Sequence, residues 1–153
     1  MTSRVEVDGD ELIATRVVDA DQQLVWHAFT EPEHLAAFWG GRHATVPAES
    51  VIVDLRPGGT FELRTLGPDG AAHPLHFVYD VVEAPSRLVF TEASTGIVTT
   101  VRLDPTGTGT TVTIHQRRVP PELRGPQAMS GLAGMLDHLD DVLRRLAPRD
   151  PST

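Results

Sequence analysis

Any chemistry in this chain has to come from seven histidines, 13 arginines, one tyrosine and 21 carboxylates. Lysine, cysteine and asparagine are absent. A thiolate nucleophile, a disulfide and a Cys-ligated zinc are therefore excluded. So are a Schiff-base lysine and a Walker-type phosphate lysine. No Gly-x-Ser-x-Gly elbow occurs, and no serine lies in a recognisable triad setting. His73-Pro74-Leu75-His76 has the residue types of a metal pair. On a strand, positions three apart point to opposite faces, and no third ligand accompanies them. Neither a metal nor a cofactor is expected. Pro57-Gly58-Gly59 reads as a turn with one residue at positive φ, because no helix begins after it to make a phosphate cradle.

The remaining polar residues divide by strand parity and helix face. His27, His34, His43 and His138 fall at helix edges or in loops, where solvent is expected around them. His115 has the opposite parity to Val112 and Ile114 and should point outward. Gln116 shares their inward parity, so it is a candidate polar anchor for a ligand, or else bonds to the protein or sits exposed at the strand end. Arg64, Arg102 and Tyr79 could supply further donors, and parity leaves their facing open. Asp140-Asp141 should sit on the polar face or flank of a helix. Trp26, Trp39, Phe61, Phe77, Tyr79 and Phe90 hold most of the aromatic area. Packing in a core is the first expectation for each, and a pocket wall is the alternative.

The elements that must position these residues follow from periodicity. Glu11 to Asp19 reads as a strand. Asp21 can cap a short helix from Gln22 to Phe29. Thr30-Glu31-Pro32-Glu33 reads as a capping box for a second helix, about Glu31 to Phe38, with Gly40-Gly41 ending it. From Arg42 to Arg118, β-rich runs alternate with turn signals. The runs are Ala44–Pro47, Val51–Arg56, Thr60–Thr65, Leu75–Glu83, Arg87–Glu92, Ile97–Asp104 and Thr110–Arg118. The turn signals include Pro105 to Gly109 with Thr108. From Pro126 to Leu146, Met129, Leu132, Leu136, Leu139, Leu143 and Leu146 repeat at three- and four-residue steps, and Met135 and Val142 widen the stripe. Asp137, Asp141, Arg144 and Arg145 fall on the other face, with Asp140–Arg144 and Asp141–Arg145 as i,i+4 pairs. Gly131 and Gly134 weaken the first half of this helix, which suggests a movable lid. The tail from Pro148 should be loose.

A sheet must bury one face and a helix one stripe, so the economical arrangement is a curved sheet around the last helix. The length of 153 residues fits one domain, 1–153, with its core at about 11–147. The net charge of -8 argues against nucleic-acid and anionic-membrane partners. No apolar run approaches a membrane span, and Met1 to Glu11 is polar where a signal peptide would be basic and then apolar. A cytoplasmic location is expected.

Five segments in register carry a family resemblance. Val25-Trp26-His27-Ala28-Phe29-Thr30-Glu31-Pro32-Glu33-His34-Leu35 resembles the opening of the AHSA1-like (activator of Hsp90 ATPase homologue) branch of the START/Bet v 1-like superfamily (SRPBCC). Phe38-Trp39-Gly40, Asp54 to Phe61, Arg87 to Thr91, and Gly131-Leu132 with Leu136 to Leu139 match its later motifs in order. Two positions depart from the pattern: Leu132 stands where tryptophan is usual, and Phe77 where glycine is frequent. The resemblance implies an α+β helix-grip fold: a curved antiparallel sheet around a long C-terminal helix, with two short helices after the first strand. It also implies an internal cavity. Trp39 at the helix-pair mouth and Phe61 on a gripping strand become the better candidates for its wall, and Trp26 is expected to be structural. The expected ligand-binding set is Trp39, Phe61, Phe77, Tyr79, Phe90, Gln116, Leu132, Met135 and Leu136, with no catalytic residue.

The function this implies is non-enzymatic carriage or sequestration of a small hydrophobic or aromatic molecule. The rival enzyme reading is a polyketide cyclase or aromatase, which needs inward Arg, His or Tyr. A third reading is an interaction protein, as an Hsp90 co-chaperone or as a homodimer through exposed strands. The branch name is poor support for an Hsp90-type chaperone partner.

Overall fold

Runs of alternating apolar and polar residues can bury one face, and here they pair into an eight-stranded antiparallel sheet. The computed structural model describes residues 3–39, 44–107 and 109–146. The strands are β1 (Arg4–Asp8), β2 (Glu11–Val18), β3 (Ile52–Val53), β4 (Thr60–Leu66), β5 (Ala72–Glu83), β6 (Arg87–Glu92), β7 (Val98–Thr106) and β8 (Gly109–Arg117). Their order across the sheet is β1-β2-β8-β7-β6-β5-β4-β3. Helices α1 (Gln22–Thr30) and α2 (Pro32–Phe38) lie between β2 and β3, and α3 (Pro126–Leu146) follows β8. This is the helix-grip arrangement. The expected helix stop at Gly40-Gly41, His43, Thr108 and the tail from Pro148 lie outside the described residues.

The bounds of α3 agree with its periodicity. Leu132, Met135, Leu136, Leu139, Val142 and Leu143 are buried on its inner face. Such burial contributes roughly 1.5–3 kcal/mol per large side chain. Asp21 caps α1 as expected, accepting from the Leu24 amide at 2.8 Å. In β5 the pairing with β6 shifts register between Tyr79 and Val81. A bulge of this kind bends a strand and increases its twist. The loop before β4 folds tightly on itself. Gly58 has φ +83, as its turn required, and a Cβ on Gly59 would lie 2.0 Å from the Asp54 carbonyl oxygen. The Gly58 amide donates to the Tyr79 carbonyl at 2.7 Å, tying this loop to β5.

Several expectations need correction. β1 was not foreseen, because its apolar content is only Val5 and Val7. It exists as the outer arm of a hairpin closed at Asp8↔Glu11. Ala44–Pro47 is no strand; it contributes an isolated bridge, Thr45↔Leu66. Val51–Arg56 shrinks to the two residues of β3. A 3-10 turn at Ala48–Ser50 precedes it, and the Arg56 amide turns back to the Asp54 carbonyl after it. The capping box is not formed. Thr30 ends α1 with its hydroxyl donating to the Trp26 carbonyl at 2.8 Å, and Glu31 precedes α2 with no side-chain cap. Pro32 does occupy the first turn.

Asp140 is the largest departure on α3. It is buried, at 7% exposure, where a solvated flank was expected. Its partner is Arg16, which follows Leu12 and Ala14 on the inward parity of β2. Arg16 Nη1 donates to Asp137 Oδ1 at 2.6 Å and to Ser3 Oγ at 3.1 Å. Arg16 Nη2 lies 3.3 Å from Asp140 Oδ2, which also receives Arg144 Nη2 at 2.9 Å. The Asp140–Arg144 pair is thus real, whereas Arg145 Nε reaches the Asp141 carbonyl, at 3.4 Å. The cluster clamps the C-terminal half of α3 to β2.

Candidate ligand-binding site

Where the Arg16 clamp ends, the N-terminal half of α3 stands over the centre of the sheet and leaves a cavity of about 380 Å³. That is the lower end of the range for small-molecule sites, ~300–1,000 Å³. Period-two alternation supplies the sheet wall: Leu75 and Phe77 from β5, Thr99 and Val101 from β7, Ile114 and Gln116 from β8. The helix wall is Ala128, Gly131, Leu132 and Met135. Trp39, next after α2, closes one side, and Val119 and Leu123 close the approach to α3. The end of β6 adds Glu92, and the β6–β7 connection adds Thr95 and Ile97.

Of the nine residues expected to bind ligand, the structure places Trp39, Phe77, Gln116, Leu132 and Met135 on the cavity wall. Phe61, Tyr79, Phe90 and Leu136 point inward but are not part of that wall. Phe61 pairs with Phe77 in register, and Tyr79 with Phe90. Their rings pack against one another and against the wall residues Trp39 and Phe77, mostly edge to face. Phe61 lies 5.1 Å from both Trp39 and Phe77, and Phe90 lies 5.2 Å from Phe77. The Tyr79 ring lies 6.0 Å from that of Phe61 and 6.1 Å from that of Phe90. Edge and stacked contacts of this kind add rigidity as well as burial. Trp26 is buried away from the cavity wall.

The polar complement of the wall is small. Gln116 faces Thr99 across β7 and β8, and its side chain makes no hydrogen bond among the described residues. Glu92 is a charged wall residue that the sequence reading missed. It continues the inward parity of Leu88 and Phe90, is 7% exposed, and pairs with Phe77 in register. Its carboxylate accepts from the Ser94 amide, from the Ser94 hydroxyl at 2.7 and 2.8 Å, and from the Thr95 amide at 3.0 Å. Burial pushes this carboxyl up. The Ser94 and Thr95 hydrogen bonds, with a smaller effect of His76, outweigh burial and hold it below the usual glutamate range.

The other candidate donors point elsewhere. Arg64 is exposed, 3.9 Å from Glu49. Arg102 is exposed between the buried Val101 and Leu103. His115 points outward, as expected, and meets Glu11 at 2.5 Å. His76 pairs with Glu62 at 3.5 Å. The Tyr79 hydroxyl is buried with no hydrogen-bond partner among the described residues. Burial drives it far above the ordinary phenol range, so it stays protonated. Among the described residues, one group could offer three metal donors: Glu31, Glu33 and His34, within 4.8 Å of one another. It lies at the α1–α2 junction, and none of the three lines the cavity. Among the described residues, no helix is long and apolar enough to cross a membrane.

Comparison with known proteins agrees with this geometry. No curated protein matches the sequence. Among solved structures, a protein from Rhodobacter sphaeroides superposes with a TM-score of 0.81 at 23% identity, over 95% of this chain and 99% of that one. A protein from Nitrosomonas europaea gives a TM-score of 0.81 at 25% identity, over 92% of this chain and 98% of that one. The AHSA1-like protein from Aeromonas hydrophila gives 0.77 at 22% identity, over 89% and 93%. The family described as activator of Hsp90 ATPase homolog 1-like protein matches residues 19–144. With the helix-grip sheet, the long clamped helix and the motifs all in place, the chain belongs to that family, within the Bet v 1-like (SRPBCC) superfamily.

Proposed function

We propose that the protein binds a small hydrophobic, ring-containing molecule in this cavity and carries or sequesters it without changing it. The observation that carries the reading is the wall itself. A cavity of about 380 Å³ is lined mainly by apolar and aromatic side chains, with Gln116 presenting an amide that has no partner among the described residues. Binding would be driven by removing apolar ligand surface from water, at about 25 cal/mol per Å² before ordering costs. Gln116 and Thr99 would orient the ligand. The cyclase reading requires inward Arg, His or Tyr around the cavity. Arg64, Arg102 and His115 face out, and Tyr79 is not part of the wall.

Native mass spectrometry of the purified protein, with a thermal-shift screen of aromatic metabolites, tests the proposal. The expected result is a retained or added ligand of a few hundred daltons at most. Ala128→Trp should fill the cavity and abolish that binding while leaving the fold intact. No binder in the screen, or binding unchanged in A128W, would overturn it.

A further inference from the structure

We propose that the cavity selects ring-containing amines over carboxylates, with Glu92 as the built-in counter-charge. This rests on the reading of the cavity as a ligand site and names the chemical class it takes.

Among the described residues, Glu92 is the one charged side chain in the cavity wall, and the others there are apolar or neutral. Two features make it more than a turn residue. First, parity: Leu88, Phe90 and Glu92 alternate inward, whereas Thr91 points outward and donates to Asp80 at 2.7 Å. The carboxylate is therefore set among the gripping side chains. Second, it has no arginine or histidine at ion-pair distance among the described residues. The His76 ring is engaged elsewhere, 3.5 Å from Glu62. A buried anion without a counter-ion raises the cost of bringing in a second anion and lowers that of a cation.

The site is preorganised for that role. Ser94 and Thr95 fix the carboxylate with hydrogen bonds that occupy only part of its capacity. Oε1 accepts only from the Ser94 hydroxyl, at 2.7 Å, and an ionised carboxyl can accept about four bonds. Phe77 stands beside Glu92 across the strand pair, and the Trp39 ring lies 6.0 Å from that of Phe77. Aromatic faces next to an anion favour an ammonium group. Thr99 stands opposite Phe90 on β7 and Gln116 opposite Thr99 on β8, so the neutral polar groups of the wall lie on the strands next to that of Glu92. A turn needs only an acceptor at position 92. Glutamine would supply one, so the negative charge itself is what the proposal assigns to the ligand.

Three probes with one ring system separate the outcomes: 2-naphthylmethylamine, 2-naphthylmethanol and 2-naphthoate, titrated calorimetrically into the full chain at neutral pH. The amine should bind at least about ten-fold more tightly than the carboxylate, the span of one charge-assisted hydrogen bond. In E92Q that ratio should fall towards one, with alcohol affinity changed by no more than about two-fold. A carboxylate that binds as tightly as the amine in the native protein, both being lost in A128W, overturns the proposal and leaves the carrier reading standing. An amine preference that survives E92Q overturns it as well. Failure of all three probes to bind removes the carrier reading and the proposal together. If E92Q does not fold, the native protein's amine-to-carboxylate ratio decides alone.

Discussion

Single polar groups in unexpected places carry the most information. The buried Tyr79 hydroxyl has no partner among the described residues, so removing it relieves a desolvation cost. Tyr79→Phe should leave stability unchanged or raise it by about 1 kcal/mol, read as a shift in the urea midpoint. Glu92 gives the opposite kind of prediction. Its carboxyl is held below the ordinary value of about 4.5, so folding favours the ionised form. Its contribution to stability is complete above that value and is lost as pH falls through the lower folded-state value. The stability gap between native protein and E92Q should therefore be constant above about pH 5 and shrink in more acid solution. A gap independent of pH down to pH 3 would contradict it. Both Glu92 and Arg16 were legible in principle. Counting by two from Leu88 or from Leu12 places them inward, but charged residues are ordinarily assigned to solvent, and that habit hid them. Phe61, Tyr79 and Phe90 show the converse. Parity turns them inward, yet only the placement of Trp39 and α3 decides which ring fronts the cavity and which does not.

At the level of elements, legibility followed length and periodicity. Helix α3 repeats its apolar stripe over 21 residues, and its bounds could be read directly. β1 and β3 offer two apolar residues each and exist through their neighbours' hydrogen bonds, which no local pattern encodes. The capping box failed for a similar reason. Thr30 has two competing acceptor and donor settings, and the α1 carbonyl of Trp26 won. Helix α3 also carries a removable weakness. A Cβ at Gly131 meets nothing within 4 Å. Gly131→Ala should therefore stabilise the protein by about 0.5–1 kcal/mol through helix propensity alone. Thermal unfolding measures this, and a destabilised variant would show that the backbone there is strained.

For the molecule as a whole, α3 is fastened unequally. Its C-terminal half is held by Arg16, Asp137, Asp140 and Arg144, and its N-terminal half borders empty space. Amides of residues 130–135 should exchange faster with solvent than those of 138–143, and ligand should close that gap. Equal protection at both ends would remove the lid idea. Arg16→Met should cost about 3 kcal/mol, because it leaves Asp140 buried with one cation fewer. It should also release the protected end of α3 in the same exchange experiment.

The clamp has a consequence for diversification. A helix anchored at one end and fitted at the other separates the residues that keep the protein folded from those that shape what it holds. Substitutions at Ala128, Gly131, Leu132 and Met135 can remould the chamber while the Arg16 anchorage stays untouched. A chain built this way can exchange one cargo for another through a handful of changes on two turns of helix, and a designer seeking a new specificity should start there.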